Sequence, residues 1–490
     1  MDNILKKDFS RVFKASSVYG LGKLLTKLFS FFLIPLYTAY LTPEDYGILA
    51  TVNIIGSIVL IICLMSFDGA FARYYYDYKE NENTLKKYLG SLTIYILLFN
   101  LLIMSLLIIG KKIIFIPFLP KTELNLYSYI ILQLGIVYFG FVTILLLTFY
   151  QVQEKPIKYV ILSLGQFFLS IGIIIYFVVV KKMGAYGSLL GNLLSTIFFF
   201  FISMSLFWKH IRINLYFPFI KNAYRFGIPV SIHLLCSWLL GYSDRLILLK
   251  YVSLSELGIY YFALQIALVM YFVIESINLA WVPFFFDTIK NRKDALSVLS
   301  KIIHYYYVGI FVIALAGILF YKEILTLFAN ERYYSSFVYI PFLILIYLFT
   351  SFYFMNINTL YYFKKTKIIP LITLSAALVK IILSFLLIPN FSLWGAVFST
   401  IIATIFWSIS VYYFANKLFK IPYRFNSLLK LCAILLIISI ISFNLNIGSF
   451  VFSIIFKIGL FLFFILLIEK ANIIKLNQFI SLIPLFNRAK

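Results

Sequence analysis

Long apolar stretches of the 490-residue sequence contain a few lysines, although charged side chains are rare there, and three of these lysines could form a functional site. Lys23 and Lys27 are four residues apart, which places them on one face of a helix, and Lys380 lies near the middle of a later stretch. A helix that starts near residue 15 and rises about 1.5 Å per residue puts Lys27 about 18 Å deep, too deep for easy contact with water. We expect the three lysines to line a central cavity suited to an anionic cargo, with an internal ion pair as the alternative.

Three further ionisable residues could take part in transport. Asp68 and Arg73, in the segment DGAFARYYYD, flank the end of an apolar stretch. They are candidates for guarding the inner mouth of a cavity, or for anchoring the chain at the membrane boundary among the tyrosines. Glu275 is the most deeply placed acid in an apolar stretch. It is a candidate proton or ion site, with pairing to one of the lysines as the alternative.

The adjacent pair Asp244 and Arg245 lies about 6 to 7 Å from the end of its apolar stretch. Ligand contact is one interpretation, and a local ion pair or an arginine that reaches the membrane surface is at least as well supported. Lys457 lies in a late stretch, and we interpret it as structural.

The sequence contains no constellation typical of catalysis. The three histidines (His210, His233 and His304) are scattered, and no metal-binding motif is present. The GLGK segment at residues 20–23 lacks the remaining glycine, the Ser/Thr and the strand of a phosphate loop. We therefore expect neither an enzyme nor a metal or other cofactor, and no connection is long enough to hold a nucleotide-binding domain.

Composition predicts a polytopic helical membrane protein. The chain is 63% hydrophobic, 20% aromatic and 12% charged, and its mean hydropathy is +1.00. A soluble protein of this size would have about twice that charged fraction. The net charge is +24, from 42 Lys and Arg against 18 Asp and Glu. In a membrane protein such an excess is expected on cytoplasmic loops, so nucleic acid is not expected as a partner.

Hydropathy predicts an all-α fold of fourteen membrane-spanning segments. They lie at 15–40, 44–70, 88–110, 126–150, 157–180, 184–207, 222–249, 255–285, 298–320, 336–362, 368–389, 392–415, 427–443 and 449–469. Counting Lys and Arg by connection gives 29 on one side and 8 on the other. This asymmetry predicts that both termini are cytoplasmic.

Two pairs of matching segments indicate an internal duplication. YLTPEDYGI at residues 40–48 matches YVSLSELGI at 251–259, at an offset of 211. AYG at 185–187 matches LWG at 393–395, at an offset of 208. Two anchors at nearly one spacing are typical of a membrane protein built from repeats.

The duplication predicts three parts: a six-helix lobe at 1–214, a second at 215–420, and an additional helical hairpin with a tail at 421–490. Six helices is an even number, so both lobes enter the membrane from the same side and should be related by a pseudo-two-fold axis along the membrane normal. His233 lies beside the position equivalent to Lys23 and is a candidate for the corresponding polar contact. A hydrogen-bonded structural histidine is an equal alternative.

The residues FFLIPLYTAYLTPEDYGILA, SDRLILLKYVSLSELGIYYFA and the WGA segment at 394–396 resemble Wzx-type oligosaccharide flippases. These belong to the polysaccharide-exporter branch of the multidrug/oligosaccharidyl-lipid/polysaccharide superfamily. The resemblance covers the first twelve segments. It implies two lobes around a central cavity that opens alternately to either side of the membrane. Asp244 and Arg245 occupy the position of the family's Asp-Arg pair.

The resemblance implies an undecaprenyl-pyrophosphate-linked oligosaccharide as cargo, flipped across the bacterial plasma membrane for a surface polysaccharide such as O-antigen or capsule. It also implies the lipid bilayer, a polysaccharide polymerase and a chain-length regulator as partners. A flippase for the peptidoglycan precursor lipid II is the nearest alternative. A multidrug/cation antiporter of the same superfamily is the next, although it should have an acidic cavity. A membrane-bound glycosyltransferase or polymerase would need a large loop that this sequence lacks.

Overall fold

A computed structural model describes residues 25–26, 29, 33–110, 114, 126–444 and 449–474. These residues form helices joined by short connections, with no strand among them. Thirteen of the described helices are long and apolar enough to cross a membrane, and they correspond to the second through fourteenth segments predicted above. The first predicted segment is described mainly at its end. The all-α, polytopic fold class is confirmed.

The chain packs as two units, residues 1–258 and 259–490. The described helices of the first unit are α1 (Ile34–Tyr40), α2 (Pro43–Leu64), α3 (Phe67–Tyr78), α4 (Glu82–Ile109), α5 (Leu126–Val152), α6 (Pro156–Ile175), α7 (Gly184–Trp208) and α8 (Phe217–Leu248). A π-helical turn, Tyr176–Val180, extends α6. Its core is aromatic, with Phe71, Tyr88, Phe141, Phe149 and Phe207 almost fully buried.

The second unit contains most of α9 (Leu254–Asn291), which begins in the last residues of the first unit. It continues with α10 (Ala295–Phe328), α11 (Ile340–Tyr362), α12 (Ile368–Phe391), α13 (Leu393–Leu418), α14 (Phe425–Asn444) and α15 (Phe450–Lys470), and a 3₁₀ helix, Glu331–Val338, precedes α11. The division by packing follows residue 258. The lobes predicted from the duplication, at 1–214 and 215–420 with a hairpin at 421–490, remain a prediction.

The second predicted segment, 44–70, is not one continuous helix. Met65 and Ser66 adopt left-handed backbone conformations (φ 44° and 54°), which separate α2 from α3. A Cβ added to Gly227 of α8 would lie 2.2 Å from the carbonyl oxygen of Met65, so the break packs directly against the backbone of α8. The Ser231 hydroxyl, one turn further along α8, donates to the Ser66 hydroxyl at 3.2 Å. A tertiary contact thus interrupts a segment whose hydropathy is uniform.

The two matching turns begin their helices with the same reciprocal cap. The backbone N–H of Asp45 donates to the Thr42 hydroxyl oxygen at 3.1 Å, and the backbone N–H of Thr42 donates to the Asp45 carboxylate at 2.9 Å. Ser253 and Glu256 make the same two bonds at 3.2 and 2.9 Å. Each pair provides hydrogen-bond acceptors for backbone N–H groups that have no partner at the start of a helix.

Rare backbone conformations also recur at the duplication spacing. Glu154 and Lys364, about 210 residues apart, have φ values of 54° and 55° in the turns that precede α6 and α12. Gly184 and Ser392 have φ values of 55° and 50° at the starts of α7 and α13. Left-handed backbone is uncommon outside glycine, so its recurrence at these positions supports the duplication.

Candidate functional site

The sequence-predicted cations differ in how the structure places them. Lys23 and Lys27 lie outside the described residues. Lys380 lies on α12 with only 1% of its surface exposed, so it is enclosed by protein in this conformation. One turn along the same helix, the Ser384 hydroxyl donates to the Ser399 hydroxyl of α13 at 3.0 Å. Lys380 and Ser384 share one face of α12, and contact of Lys380 with a cargo remains a prediction.

Glu275 lies on α9 in a row of polar side chains on the second unit. It is partly exposed, with Tyr271 one turn before it and Asn278 one turn after it. The Asn278 side-chain oxygen accepts a hydrogen bond from the amide of Asn358 on α11 at 3.1 Å, and Asn358 is 2% exposed. Residues spaced by three or four positions share a helix face, so this face of α9 presents a carboxylate, a phenol and an amide together. Sequence reasoning identified Glu275 but missed the two asparagines.

The candidate residues on α8 differ in how far the protein buries them. His233 is half-buried between exposed Ile232 and Leu234, and its Nδ1 atom has no hydrogen-bond partner among the described residues. Asp244 is 1% exposed, and the Arg245 guanidinium lies 4.9 Å from the centre of the Tyr242 ring. Asp244 is thus an interior carboxylate, which distinguishes it from a surface anchor.

Arg73 and Asp68 lie on α3 and have different surroundings. The Arg73 side chain is exposed, and its Nη1 atom donates to the Asp77 carboxylate at 2.8 Å. Asp68 lies in the first turn of α3, where a carboxylate stabilises the positive end of the helix dipole. These contacts resemble those of interfacial residues, and the predicted role at an inner mouth is left as a prediction.

Lys457 forms a buried ion pair that sequence reasoning missed. Its Nζ atom lies 2.5 Å from the Glu323 carboxylate, and the Ser453 hydroxyl donates to the same oxygen at 2.6 Å. Glu323 and Lys457 are 7% and 8% exposed. The pair joins α15 to α10 and agrees with a structural role for Lys457. Glu323 follows Lys322 near the end of its helix, which made it resemble a surface residue in the sequence.

A close backbone approach joins the two matching turns inside the first unit. A Cβ added to Gly47 would lie 1.9 Å from the carbonyl oxygen of Leu254, and one added to Gly258 would lie 1.7 Å from that of Pro43. Pro43 and Leu254 are matching positions of the duplication, as are Gly47 and Gly258, so the contact is reciprocal. Only glycine permits this approach, because real Cβ atoms do not come within 3.0 Å of such a group. The N-terminal turns of α2 and α9 therefore pack directly against each other, backbone to backbone.

The described residues contain no group of three or more histidine, cysteine, aspartate or glutamate side chains that could hold a metal ion. The polar groups described above include two ion pairs, Lys457–Glu323 and Arg73–Asp77, together with other charges and amides on largely apolar helices. Such groups suit the recognition and passage of a charged solute.

Comparison with known proteins gives the family. The sequence model of the family described as "Polysaccharide biosynthesis protein" matches residues 12–289. Two proteins of Haemophilus influenzae are similar to this chain. "Lsg locus putative protein 1" is 27% identical over 384 residues, covering 73% of this chain and 87% of the relative. An "Uncharacterized membrane protein" is 25% identical over 366 residues, covering 72% and 85%.

Solved structures agree on the fold. Lipid II flippase MurJ, in an inward closed conformation, has a TM-score of 0.74 at 16% identity, with 93% of this chain and 99% of that chain covered. An inward-facing multidrug resistance MATE family transporter of the MOP superfamily has a TM-score of 0.65 at 14% identity, with 82% and 94% covered. Both are structures of a flippase or a transporter, in agreement with the expectation of a transporter rather than an enzyme. The chain belongs to the polysaccharide biosynthesis protein family and is a multi-pass membrane protein with the same fold as these flippase and transporter structures.

Proposed function

We propose that the chain flips undecaprenyl-pyrophosphate-linked oligosaccharide units from the cytoplasmic to the outer face of the bacterial plasma membrane. The observation that carries the proposal is membership of a polysaccharide biosynthesis family in a chain whose fold is that of a lipid flippase. The termini lie in the cytoplasm, as the distribution of Lys and Arg predicts. A polysaccharide polymerase and a chain-length regulator act on the delivered units.

The chemistry of the cargo fits the cations of the chain. A pyrophosphate cannot enter an apolar medium without compensating positive charge. Lys23, Lys27 and Lys380 provide that charge, and the polyprenyl tail stays in lipid. Lys380 is enclosed in the present conformation, so its contact with the head group belongs to another state of the transport cycle. A side chain that meets the cargo in one state and not in another supplies the differential binding needed to shift the equilibrium between them.

Glu275 is the candidate for coupling to an ion or a proton, with Asp68 as the second. Glu275 lies beside Tyr271 and Asn278 on a partly exposed face of α9, where a small cation or a proton has access to its carboxylate. His233, Asp244 and Arg245 complete the proposed polar path along α8. Arg73 is the proposed contact at the cytoplasmic end.

Two functions within the same superfamily are the alternatives. The lipid II flippase has the fold of this chain, so the peptidoglycan precursor is a second candidate cargo. The MATE transporter has that fold as well, so multidrug/cation antiport is a third. The three lysines predicted to line the cavity argue against a cationic substrate, because they would repel it.

Flipping of a lipid-linked oligosaccharide by the purified protein tests the proposal. The protein is reconstituted into proteoliposomes with a fluorescent undecaprenyl-pyrophosphate oligosaccharide, and the fraction reaching the opposite leaflet is followed over time. We expect flipping by the wild type and a reduction of about tenfold or more in Lys380→Met and Lys27→Glu, which corresponds to about 1.4 kcal/mol or more of lost stabilisation. Lys250→Gln, an exposed lysine in a turn, is the control for loss of a positive charge.

Two parallel assays separate the alternatives. Rescue of a strain that lacks its cell-wall flippase would favour lipid II as the cargo. Drug efflux driven by an ion gradient would favour the antiporter. Normal flipping by both lysine variants would remove these lysines from the mechanism, and absence of flipping by the wild type would contradict the proposed cargo.

A further inference from the structure

Five cations from three separate parts of the first unit surround one histidine. Lys86 belongs to the first turns of α4, Lys155 and Lys158 to the turn before α6 and its beginning, and Lys209 and Arg212 to the connection between α7 and α8. His210 lies in that same connection. We refer to Lys86, Lys155, Lys158, Lys209, His210 and Arg212 as the His210 cluster.

The backbone of the cluster is held in place. The backbone N–H of Arg212 donates to the carbonyl oxygen of Lys86 at 2.9 Å, and its guanidinium donates to the Asn83 side chain at 3.1 Å. A Cβ added to Gly90 of α4 would lie 1.9 Å from the carbonyl oxygen of Arg212, so the connection lies flat against α4. The His210 ring packs on Phe149, with ring centres 4.8 Å apart, and Phe149 is 1% exposed. The backbone that carries these cations is therefore held in place by neighbouring helices.

Positive charge in the cluster is only partly neutralised. Lys86 pairs with Glu82 at 2.7 Å. Lys155, Lys158, Lys209 and Arg212 are exposed and have no carboxylate partner among the described residues. Burial of the ring, followed by the charges of Lys209, Lys155, Lys86 and Lys158, lowers the pKa of His210 below its ordinary value. The cluster thus resists a further positive charge and favours a negative one.

Large apolar side chains are exposed beside these cations. Trp208 precedes Lys209 and is 53% exposed, Ile157 precedes Lys158 and is 67% exposed, and Ile213 follows Arg212 and is 70% exposed. Trp208 and Ile157 lie at the ends of membrane-spanning helices and Ile213 in the connection between two of them, where aromatic and aliphatic side chains meet lipid. A ligand with a charged head and an apolar tail matches both features, whereas a free phosphate in water would use only the cations.

We propose that the His210 cluster binds the phosphate monoester or pyrophosphate head group of a membrane lipid. Several exposed cations around one point favour a head group with two or more negative charges over a phosphodiester with one. The inference goes beyond the proposed flipping of oligosaccharides and stands whatever the cargo, because binding is measured without transport.

Lipid binding by the full-length protein in nanodiscs tests this site. The discs contain phosphatidylcholine with a small fraction of phosphatidic acid, whose head group is a phosphate monoester, and bound lipid is quantified by native mass spectrometry. The variant K155Q/K158Q/K209Q should bind phosphatidic acid at least about tenfold more weakly than the wild type, since each lysine near a charged lipid adds to the attraction.

The variant K364Q/K365Q/K367Q is the matched control. It removes the same charge from exposed lysines at the turn before α12, where Lys364 has a left-handed backbone like that of Glu154 in the turn before α6. We expect it to bind as the wild type does. Equal losses in the two variants would overturn the proposal. So would equal affinity for phosphatidylglycerol, a phosphodiester, or equally tight binding of inorganic pyrophosphate without a lipid.

The pH dependence provides a second readout through His210. A bound anion stabilises the imidazolium form and raises the pKa of His210, so binding takes up a proton and tightens as the pH falls. Lys209 and Arg212 on its own segment, Lys86 and Glu82 on α4, and Lys155 and Lys158 at α6 are the charged groups that face it. His210→Phe keeps the ring contact and cannot titrate. The wild type should tighten more steeply than this variant between about pH 8 and about pH 6, and identical profiles would contradict the assignment.

Discussion

The ion pair between Glu323 and Lys457 shows how a membrane protein keeps charge in its interior. The two groups and the Ser453 hydroxyl meet at one carboxylate oxygen, at 2.5 and 2.6 Å. Short charge-assisted bonds of this kind lower the cost of removing both ions from water. Because α15 has no counterpart in the predicted duplication, this contact is a main polar attachment of the additional hairpin.

Breaking this pair from one side should be costly. Glu323→Gln leaves the Lys457 ammonium buried without a counter-charge, and we expect the free energy of unfolding to fall by about 3 kcal/mol or more. The double variant Glu323→Gln/Lys457→Met has no buried charge and should recover much of that loss. Chemical unfolding of the purified protein in detergent, arranged as a double-mutant cycle, measures the coupling.

Asp77→Asn is the control for this prediction. It breaks the ion pair between Arg73 and Asp77, whose side chains are 55% and 42% exposed, and should change stability little because water screens such pairs. A Glu323→Gln variant as stable as Asp77→Asn would show that the buried pair does not hold the hairpin.

At the level of single residues, the sequence indicated which groups were unusual but not their partners. Lys457 was predicted to be structural, and its environment agrees. Glu323 was missed because 134 positions separate it from Lys457, and spacing predicts contacts only within one helix. The expectation that Lys380 lines a cavity was based only on its position near the middle of an apolar segment. That position does not tell whether the side chain faces a cavity or other protein atoms.

At the level of helices, most boundaries followed from hydropathy because a bilayer requires about 20 consecutive apolar residues. The exceptions were local. The break at Met65 and Ser66 contains neither proline nor glycine, and it packs against Gly227 of α8. The π-helical turn Tyr176–Val180 likewise lies in a uniformly apolar run. Such features depend on neighbouring helices and are difficult to recognise in the sequence of the segment itself.

The glycine contact between α2 and α9 gives a prediction at this level. Gly258→Ala would place a methyl group against the carbonyl oxygen of Pro43, so the two turns must separate. Overpacking of this kind costs about 1–3 kcal/mol. Thermal unfolding of the purified protein should show a clear decrease in midpoint for Gly258→Ala and for Gly47→Ala.

Gly241→Ala tests whether that effect comes from the contact. Gly241 lies within α8 and has nothing within 4 Å of an added Cβ, so alanine there should leave the midpoint unchanged or raise it. Equal midpoints for Gly241→Ala and Gly258→Ala would show that the turns are free to move apart at no cost.

For the whole molecule, composition was sufficient to predict a polytopic helical membrane protein, and the matching segments were the basis for predicting a duplication. The same spacing returns in the backbone, at Glu154 and Lys364 and at Gly184 and Ser392. The division by packing was not predictable, because residues 217–248 match the start of the second repeat yet pack with the first unit. Tyr216 and Ser231, for example, hydrogen-bond to Ser91 and Ser66.

The reciprocal contact made by Gly47 and Gly258 bears on how the duplicated chain arose. Each glycine meets the carbonyl group located four positions before the other, which is how two identical subunits touch across a dyad. The contact between these two turns therefore resembles the interface of a homodimer, although both turns belong to one polypeptide. This is expected if two copies of an ancestral gene were fused. A side chain at either glycine would meet the backbone of the opposite copy, so each position restricts which residue the other copy can hold there.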